Sequence, residues 1–406
     1  MTAKWTIMIY LAGDNDLSAT GNSDLDEMRM VGSSDDLNFV VLYDSFGNAG
    51  VQRCRIEKDG RGEKIETLKE LDTGNPSNLV EFAKWAKSQY PAEQYALILW
   101  SHGNGWQPAD IDEIATAVSS PGYGLAERST IGKRQAFFRS TLQKMLTMPL
   151  PEERAICFDD GSNHSLDTQE LGQAIRQIKE YLDQPLDVLG MDACLMSNFE
   201  VAFEVRHYAK FMVASEAITF GSSWPYGIIF KQLSAKPKMA ADALAELIVR
   251  AFAETAPHKF PIATLSAFDL SQADSLANKL DGLAEGLIKA LPGIKGKLWK
   301  AQCNTASFAQ ETLLDVNRLC QELIKLKFSA DIRIAAEAVT ATLQPGAGRF
   351  ILAAVLSGET VRGCGGVSIY LPTSVGVSPY YAELAFARSE QHRWWAMLKT
   401  YKTGRL

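Results

Sequence analysis

In Tyr95-Ala96-Leu97-Ile98-Leu99-Trp100-Ser101-His102-Gly103-Asn104-Gly105-Trp106, an unbroken apolar run stops abruptly at a polar, glycine-rich turn. The run lacks the alternation of a strand with one wet face. It predicts a strand covered on both sides, the kind that parallel sheets contain. Residues 6–11, 39–43, 187–191 and 210–214 have the same character. Helical stretches lie between these runs. One spans 76–90, with Pro76 at its first position after Asn75. Another spans 166–182, with Leu166, Leu171, Ile175, Ile178 and Leu182 near helical spacing. Strand and helix alternating in this way predict an α/β fold, with a mainly parallel central sheet between two helical layers.

The rhythm breaks twice. Residues 107–154 carry Ser119-Ser120-Pro121-Gly122-Tyr123-Gly124, a basic stretch, Pro149 and Pro151. A connection of this length is expected as an exposed insertion, with a short helix over 135–148. Beyond about residue 260 the pattern becomes mixed. A strand over 262–268 precedes expected helices at 271–290, 312–325 and 331–343. Residues 349–356 and 366–371 look like a strand pair, and 379–401 like a closing amphipathic helix. The expected division is 1–260 for the main α/β unit and 261–406 for a mixed helical C-terminal part, although the late strands could equally extend the main sheet.

The 406 residues are 46% hydrophobic and 22% charged, an ordinary globular composition. A net charge of −7 disfavours nucleic acid and anionic membranes as partners. No apolar run is long enough to span a bilayer, and the opening apolar stretch at 5–11 predicts a core strand rather than an export signal. A cytoplasmic location is the expectation. Six scattered cysteines with no C-x-x-C pair argue for thiols rather than a zinc site or a disulfide framework.

Ligands of parallel sheets bind at the carboxyl ends of the strands. Two expected strand ends carry a chemically capable side chain, His102 after one and Cys194 in Asp192-Ala193-Cys194-Leu195-Met196 after another. A thiol hydrolase needs a thiolate, an imidazole beside it and donors for an oxyanion. A helix expected over 195–208 would lower the Cys194 pKa at its N-terminus. The backbone N–H groups of Gly103 and Cys194 would form the oxyanion hole. Taken singly, each residue has a bland reading as well: a small buried hydrophobe for the cysteine, a satisfied turn residue for the histidine.

Four segments resemble the clostripain family of cysteine peptidases, in the clan that also holds caspases, legumains and gingipains. They are residues 5–17, with Asp14-Asn15-Asp16-Leu17; residues 95–106, with His102-Gly103-Asn104-Gly105-Trp106; residues 187–196, with Asp192-Ala193-Cys194-Leu195-Met196; and Gly366-Val367-Ser368-Ile369-Tyr370-Leu371-Pro372 with the closing aromatic stretch. The resemblance implies a caspase-like three-layer fold and peptide hydrolysis by His102 and Cys194, with no cofactor required. It also implies preference for Arg or Lys at P1, with Asp192 as the carboxylate of the pocket. Asp192 has a second reading as a helix cap. Glu216 and Trp224 are further candidates for the cleft wall, Trp224 having an equal reading as part of an aromatic core cluster with Tyr226. Family members are commonly processed between the His and Cys blocks, which makes Arg128, Lys133, Arg134 and Arg139 candidate cleavage sites; a solvated basic loop with no processing is the equal alternative. Some relatives depend on calcium. Asp14, Asp16, Asp24 and Asp26 offer ligands for it, but without EF-hand spacing, and Asx-turns or caps account for them as well. The chain departs from many relatives in showing no export signal. The 217–223 region is also less acidic than strict Arg preference would suggest. The rival reading is a catalytically silent caspase-like binding or regulatory module.

Overall fold

The computed structural model describes residues 2–47, 50–106, 156–218, 223–256, 262–308, 310–372 and 376–403. The candidate processing residues Arg128, Lys133, Arg134 and Arg139 lie outside the described residues, as does the helix expected over 135–148.

In chain order the strands of the main sheet are β1 (Ala3–Gly13), β2 (Leu37–Ser45), β3 (Gln52–Arg55), β4 (Glu66–Thr67) and β5 (Ala92–Trp100). A hairpin of β6 (Ile156–Asp159) and β7 (His164–Leu166) follows. The sheet resumes with β8 (Leu186–Asp192), β9 (Ala209–Ala214) and β10 (Ala263–Asp269). The last four strands are β11 (Ser307–Phe308), β12 (Gln310–Asp315), β13 (Ile351–Ser357) and β14 (Ser368–Tyr370). Nine strands form the main sheet in the order β13-β10-β9-β8-β5-β1-β2-β3-β4. The five from β9 to β2 are parallel neighbours, and antiparallel strands complete both edges. All five apolar runs expected as strands lie in this parallel core.

Helices cover both faces. They are α1 (Ser18–Arg29), α2 (Pro76–Gln89), α3 (Thr168–Leu182), α4 (Phe199–Val205), α5 (Tyr226–Ala235), α6 (Ala241–Thr255), α7 (Ala273–Cys303), α8 (Val316–Lys325), α9 (Ala330–Thr342), α10 (Ala385–Arg388) and α11 (Arg393–Thr403). Successive residues of β1 alternate between two cores, as strand geometry requires. Trp5, Ile7, Ile9 and Leu11 pack with Tyr226, Phe230, Leu244 and Phe252 on one face. Met8 and Tyr10 pack with Leu79, Phe82 and Ile175 on the other. Asn75 caps α2 through the Ser77 N–H, and Asp167 and Glu170 form a capping box on α3. Among the described residues, no helix is long and apolar enough to cross a membrane.

Four C-terminal expectations are corrected. Residues 310–315 are strand β12, not the start of a helix; the Asp315 side chain accepts from the Arg318 N–H and so fixes where α8 begins. The helix expected over 271–290 runs on to Cys303, with Pro292 inside it. The stretches at 349–356 and 366–371 do not pair: β13 adds to β10 at the edge of the main sheet, while β14 pairs with β12 in a second sheet. The closing segment is a 3-10 turn over Pro379–Glu383 followed by the separate helices α10 and α11.

Candidate active site

Strands β5 and β8 run side by side in parallel, with Trp100 opposite Asp192 at their carboxyl ends. Past that point the Ser101 N–H still reaches the Asp192 carbonyl, at 3.4 Å. Two residues beyond each strand stand His102 and Cys194, so the topology delivers both to one edge of the sheet. The turns that carry them touch. A Cβ built on Gly103 would fall inside van der Waals distance of the Cys194 carbonyl oxygen and 2.9 Å from the Ala193 Cβ. Glycine at 103 therefore sets how near the imidazole turn comes to the thiol turn.

Side chains fasten the His102 turn. Ser101 Oγ donates to the Ala12 carbonyl (3.0 Å) and accepts from the Phe158 N–H (3.1 Å). The His102 ring meets Phe158 edge-on at 6.1 Å, and its Nε2 lies 2.7 Å from Asp16 Oδ1. The Asp16–His102 pair was not legible in the sequence, where Asp16 looked like part of an Asx-rich turn. Its neighbours explain the placement. Asn15 accepts from the Leu17 N–H and donates to Ala12 and Phe158 carbonyls. Asp14 accepts from the Gly161 N–H.

Backbone bonds fasten the Cys194 turn. Leu195 N–H donates to Ala217 O and Ser197 N–H to Ser215 O. Ser197 Oγ donates to the Gly366 carbonyl at 2.6 Å, and the Ser368 N–H donates to Ser197 O. The helix expected to begin at 195 begins at Phe199, capped by Asn198. Leu195 sits at φ 63, outside helical space, so the thiol does not stand at a helix N-terminus. Lowering of the Cys194 pKa by a helix dipole is withdrawn on that ground. The cap role for Asp192 falls with it. Cys194 itself is half-buried, against an apolar cluster of Leu195, Ala217, Phe308, Val361 and Cys364.

The other candidates separate into two groups. Asp192 is 6% exposed and accepts from the Trp224 N–H (2.9 Å) and the Tyr226 hydroxyl (3.0 Å). Burial, with help from nearby Asp24, pushes its carboxyl up to about 8. Asp24 belongs to this group, although the sequence suggested a cap or cation ligand. It accepts from Trp100 Nε1 and Ser223 Oγ, and burial raises it to about 7. Asp26 instead is exposed and pairs with Arg29 at 3.5 Å. Trp224, 1% exposed, lies over Gly190. Glu216, a candidate wall of the cleft, is likewise 1% exposed, and its charged neighbour is Asp315 rather than Asp192. Burial and then the Asp315 charge raise it well above the carboxylate range. Asp315 accepts from the N–H groups of Arg318, Gly365 and Gly366. Among the described residues, no group of three or more acidic, histidine or cysteine side chains is arranged to hold a metal ion.

A three-layer sheet that presents an imidazole and a thiol at the carboxyl ends of adjacent parallel strands has the layout of a caspase-like thiol hydrolase. The model of the clostripain family matches residues 9–118 and 145–400, and the chain belongs to that family of cysteine peptidases. Clostripain of Hathewaya histolytica is 27% identical over 263 residues, covering 57% of this chain and 42% of its own. The chain thus matches less than half the length of that relative. Two solved structures share the fold. The inactive zymogen C11 protease of Parabacteroides distasonis is 18% identical, with a TM-score of 0.65 over 96% of this chain and 98% of its own. A secreted C11 cysteine protease of Bacteroides thetaiotaomicron, in complex with an irreversible peptide inhibitor, is 18% identical, with a TM-score of 0.63 over 97% and 99%.

Proposed function

We propose that this chain is a cysteine endopeptidase that cleaves after Arg or Lys, with Cys194 as nucleophile and His102 as its acid–base partner. The observation that carries the reading is the contact between the two strand-end turns, which leaves no room for a side chain at Gly103 beside Cys194. The Cys194 thiolate attacks the scissile carbonyl. Backbone N–H groups at Gly103 and Cys194 hold the oxyanion. His102 protonates the leaving amine, and water then releases the acyl group. This chemistry requires no cofactor, and the partner is a peptide or protein substrate.

Asp192 is the carboxylate proposed to receive the basic P1 side chain, with Trp224 beside it. Support comes from its place just ahead of Cys194 and from its surroundings. Its donors are the neutral Trp224 N–H and Tyr226 hydroxyl, and among the described residues no cation pairs with it, so an incoming guanidinium or ammonium would supply the charge partner. Glu216 and Asp315 are better placed to buttress the Cys194 turn, since residues 215 and 217 bond it directly. Self-processing at Arg128, Lys133, Arg134 or Arg139 follows from the same specificity. That a relative of the same fold is described as an inactive zymogen favours it.

Labelling with a thiol-reactive peptide carrying Arg or Lys at P1 tests the reading. Cys194 should be modified in preference to the other five cysteines, and Cys194→Ala should abolish turnover of the matching substrate. Turnover that survives Cys194→Ala would leave another chemistry, and a wild type with neither turnover nor selective labelling of Cys194 would leave a binding module. Intact mass after incubation should show fragments for the wild type and a full-length chain for Cys194→Ala.

A further inference from the structure

We infer that Asp16 is a positioning residue for His102, so that the site works as a triad in which Nε2 is committed to Asp16 and Nδ1 serves the Cys194 thiol. The inference rests on the peptidase reading of Cys194 and His102. Oδ1 of Asp16 lies 2.7 Å from Nε2, with the side chains only 14% and 12% exposed. A carboxylate only accepts, so the neutral ring must carry its proton on Nε2. That leaves Nδ1 as the basic nitrogen.

Asp16 does not depend on His102 for its own position. The turn that carries it is set by the three Asn15 hydrogen bonds to Ala12, Leu17 and Phe158. Ser101 ties the same Ala12 and Phe158 backbone groups to the turn that bears His102. Phe158 also closes one side of the imidazole. The turns after β1 and β5 and the strand β6 therefore fix both partners before substrate arrives, which is what a positioning pair requires. In the reaction, the Sγ–H proton moves to Nδ1. The resulting imidazolium keeps its Nε2–H on Asp16. As the C–N bond breaks, the Nδ1 proton passes to the leaving nitrogen.

Two measurements test this on the full chain. In Cys194→Ala, which cannot form a thiolate–imidazolium pair, nitrogen NMR of labelled histidine should show neutral His102 protonated on Nε2. In Asp16→Asn, kcat on an Arg-P1 peptide should fall about 100-fold with KM changed less than about threefold, because the amide no longer fixes the tautomer. Asp16→Glu should recover part of that loss, while the melting temperature of each variant stays near that of wild type. An Nδ1–H tautomer, or a folded Asp16→Asn with unchanged kcat, overturns the inference. If Asp16→Asn does not fold, the tautomer alone decides. Loss of turnover in both Cys194→Ala and His102→Ala alongside unchanged Asp16→Asn would sink the triad and leave the peptidase reading standing. Turnover in Cys194→Ala would sink the peptidase reading itself.

Discussion

The turns bearing His102 and Cys194 sit side by side but are held by different segments of the chain. The imidazole turn is tied through side chains to the turn after β1, and to β6 through the Ser101 hydroxyl and a Gly103–Ile156 backbone bridge. The thiol turn is tied mainly through backbone bonds to residues 215–217 and to the segment 366–368. Their carboxylates differ in the same way. Asp16 faces a ring that can carry positive charge. Asp192 is buried against neutral donors and pushed up to about 8. One half of the site is organised around an imidazole–carboxylate hydrogen bond already made; in the proposed reading, the other awaits the basic side chain of a substrate.

The most severe way to break this arrangement is to separate the turns. Gly103→Ala places a methyl group against Cys194 O and the Ala193 Cβ. It should cost about 1–3 kcal/mol of stability and lower kcat more than about 100-fold, measured by calorimetry and peptide turnover. Next is Asp192→Asn. Acylation by Arg and Lys substrates, measured as kcat/KM, should fall about 100-fold, while neutral P1 substrates change less than about tenfold. The pH dependence sharpens the point. Empty Asp192 is protonated below about 8 and must ionise to pair with a cation. The wild-type kcat/KM for basic P1 should therefore rise as pH climbs through that value, and Asp192→Asn should lack this limb.

Smaller effects compare the two sets of fastenings. Ser197→Ala removes one hydrogen bond from the thiol turn to Gly366. Ser101→Ala removes two from the imidazole turn. At about 1 kcal/mol per bond, Ser101→Ala should be the less stable in urea titrations. Alkylation of Cys194 should slow more in Ser197→Ala. Smallest for turnover is Glu200→Gln. Glu200 is buried, accepts from the Tyr370 N–H and the Tyr381 hydroxyl, and is raised by burial to about 7. Its folded pKa exceeds its unfolded one, so its contribution is complete below about 4.5 and lost as pH rises to about 7. Glutamine mimics the protonated acid. The variant should flatten the stability–pH curve over that window by about 2–3 kcal/mol and leave kcat unchanged.

The parallel core was legible because its strands are apolar on both faces. Residues 6–11 and 95–100 carry that signal without help from the rest of the chain. His102 and Cys194 were legible as strand-end residues for the same reason. The C-terminal part was not. Leu313, Leu314, Val316 and Leu319 fit a helical stripe, yet the first two lie in β12, where pairing with β14 overrides local periodicity. The start of α4 was missed because the left-handed backbone at Leu195 leaves no compositional trace. Asp16 and Asp24 were missed as site residues because their partners, His102 and Trp100, are remote in sequence. A turn-forming Asp and a charge-pairing Asp look alike until the strands that bring them together are in place.

In the order β9-β8-β5-β1-β2, the strands that precede residues 107–155 and those that follow them form two blocks that meet at one seam, between β5 and β8. Strand β5 comes before that interval and β8 after it, and the two are hydrogen-bonded along Ala96–Val188 through Trp100–Asp192. A backbone break anywhere between them would cut the polypeptide without parting the sheet. Two fragments, one carrying the imidazole and its aspartate and the other the thiol, would migrate separately in detergent and as one species in native buffer. Mixing separately expressed pieces is then an assembly problem in β-pairing, and the site lends itself to fragment complementation.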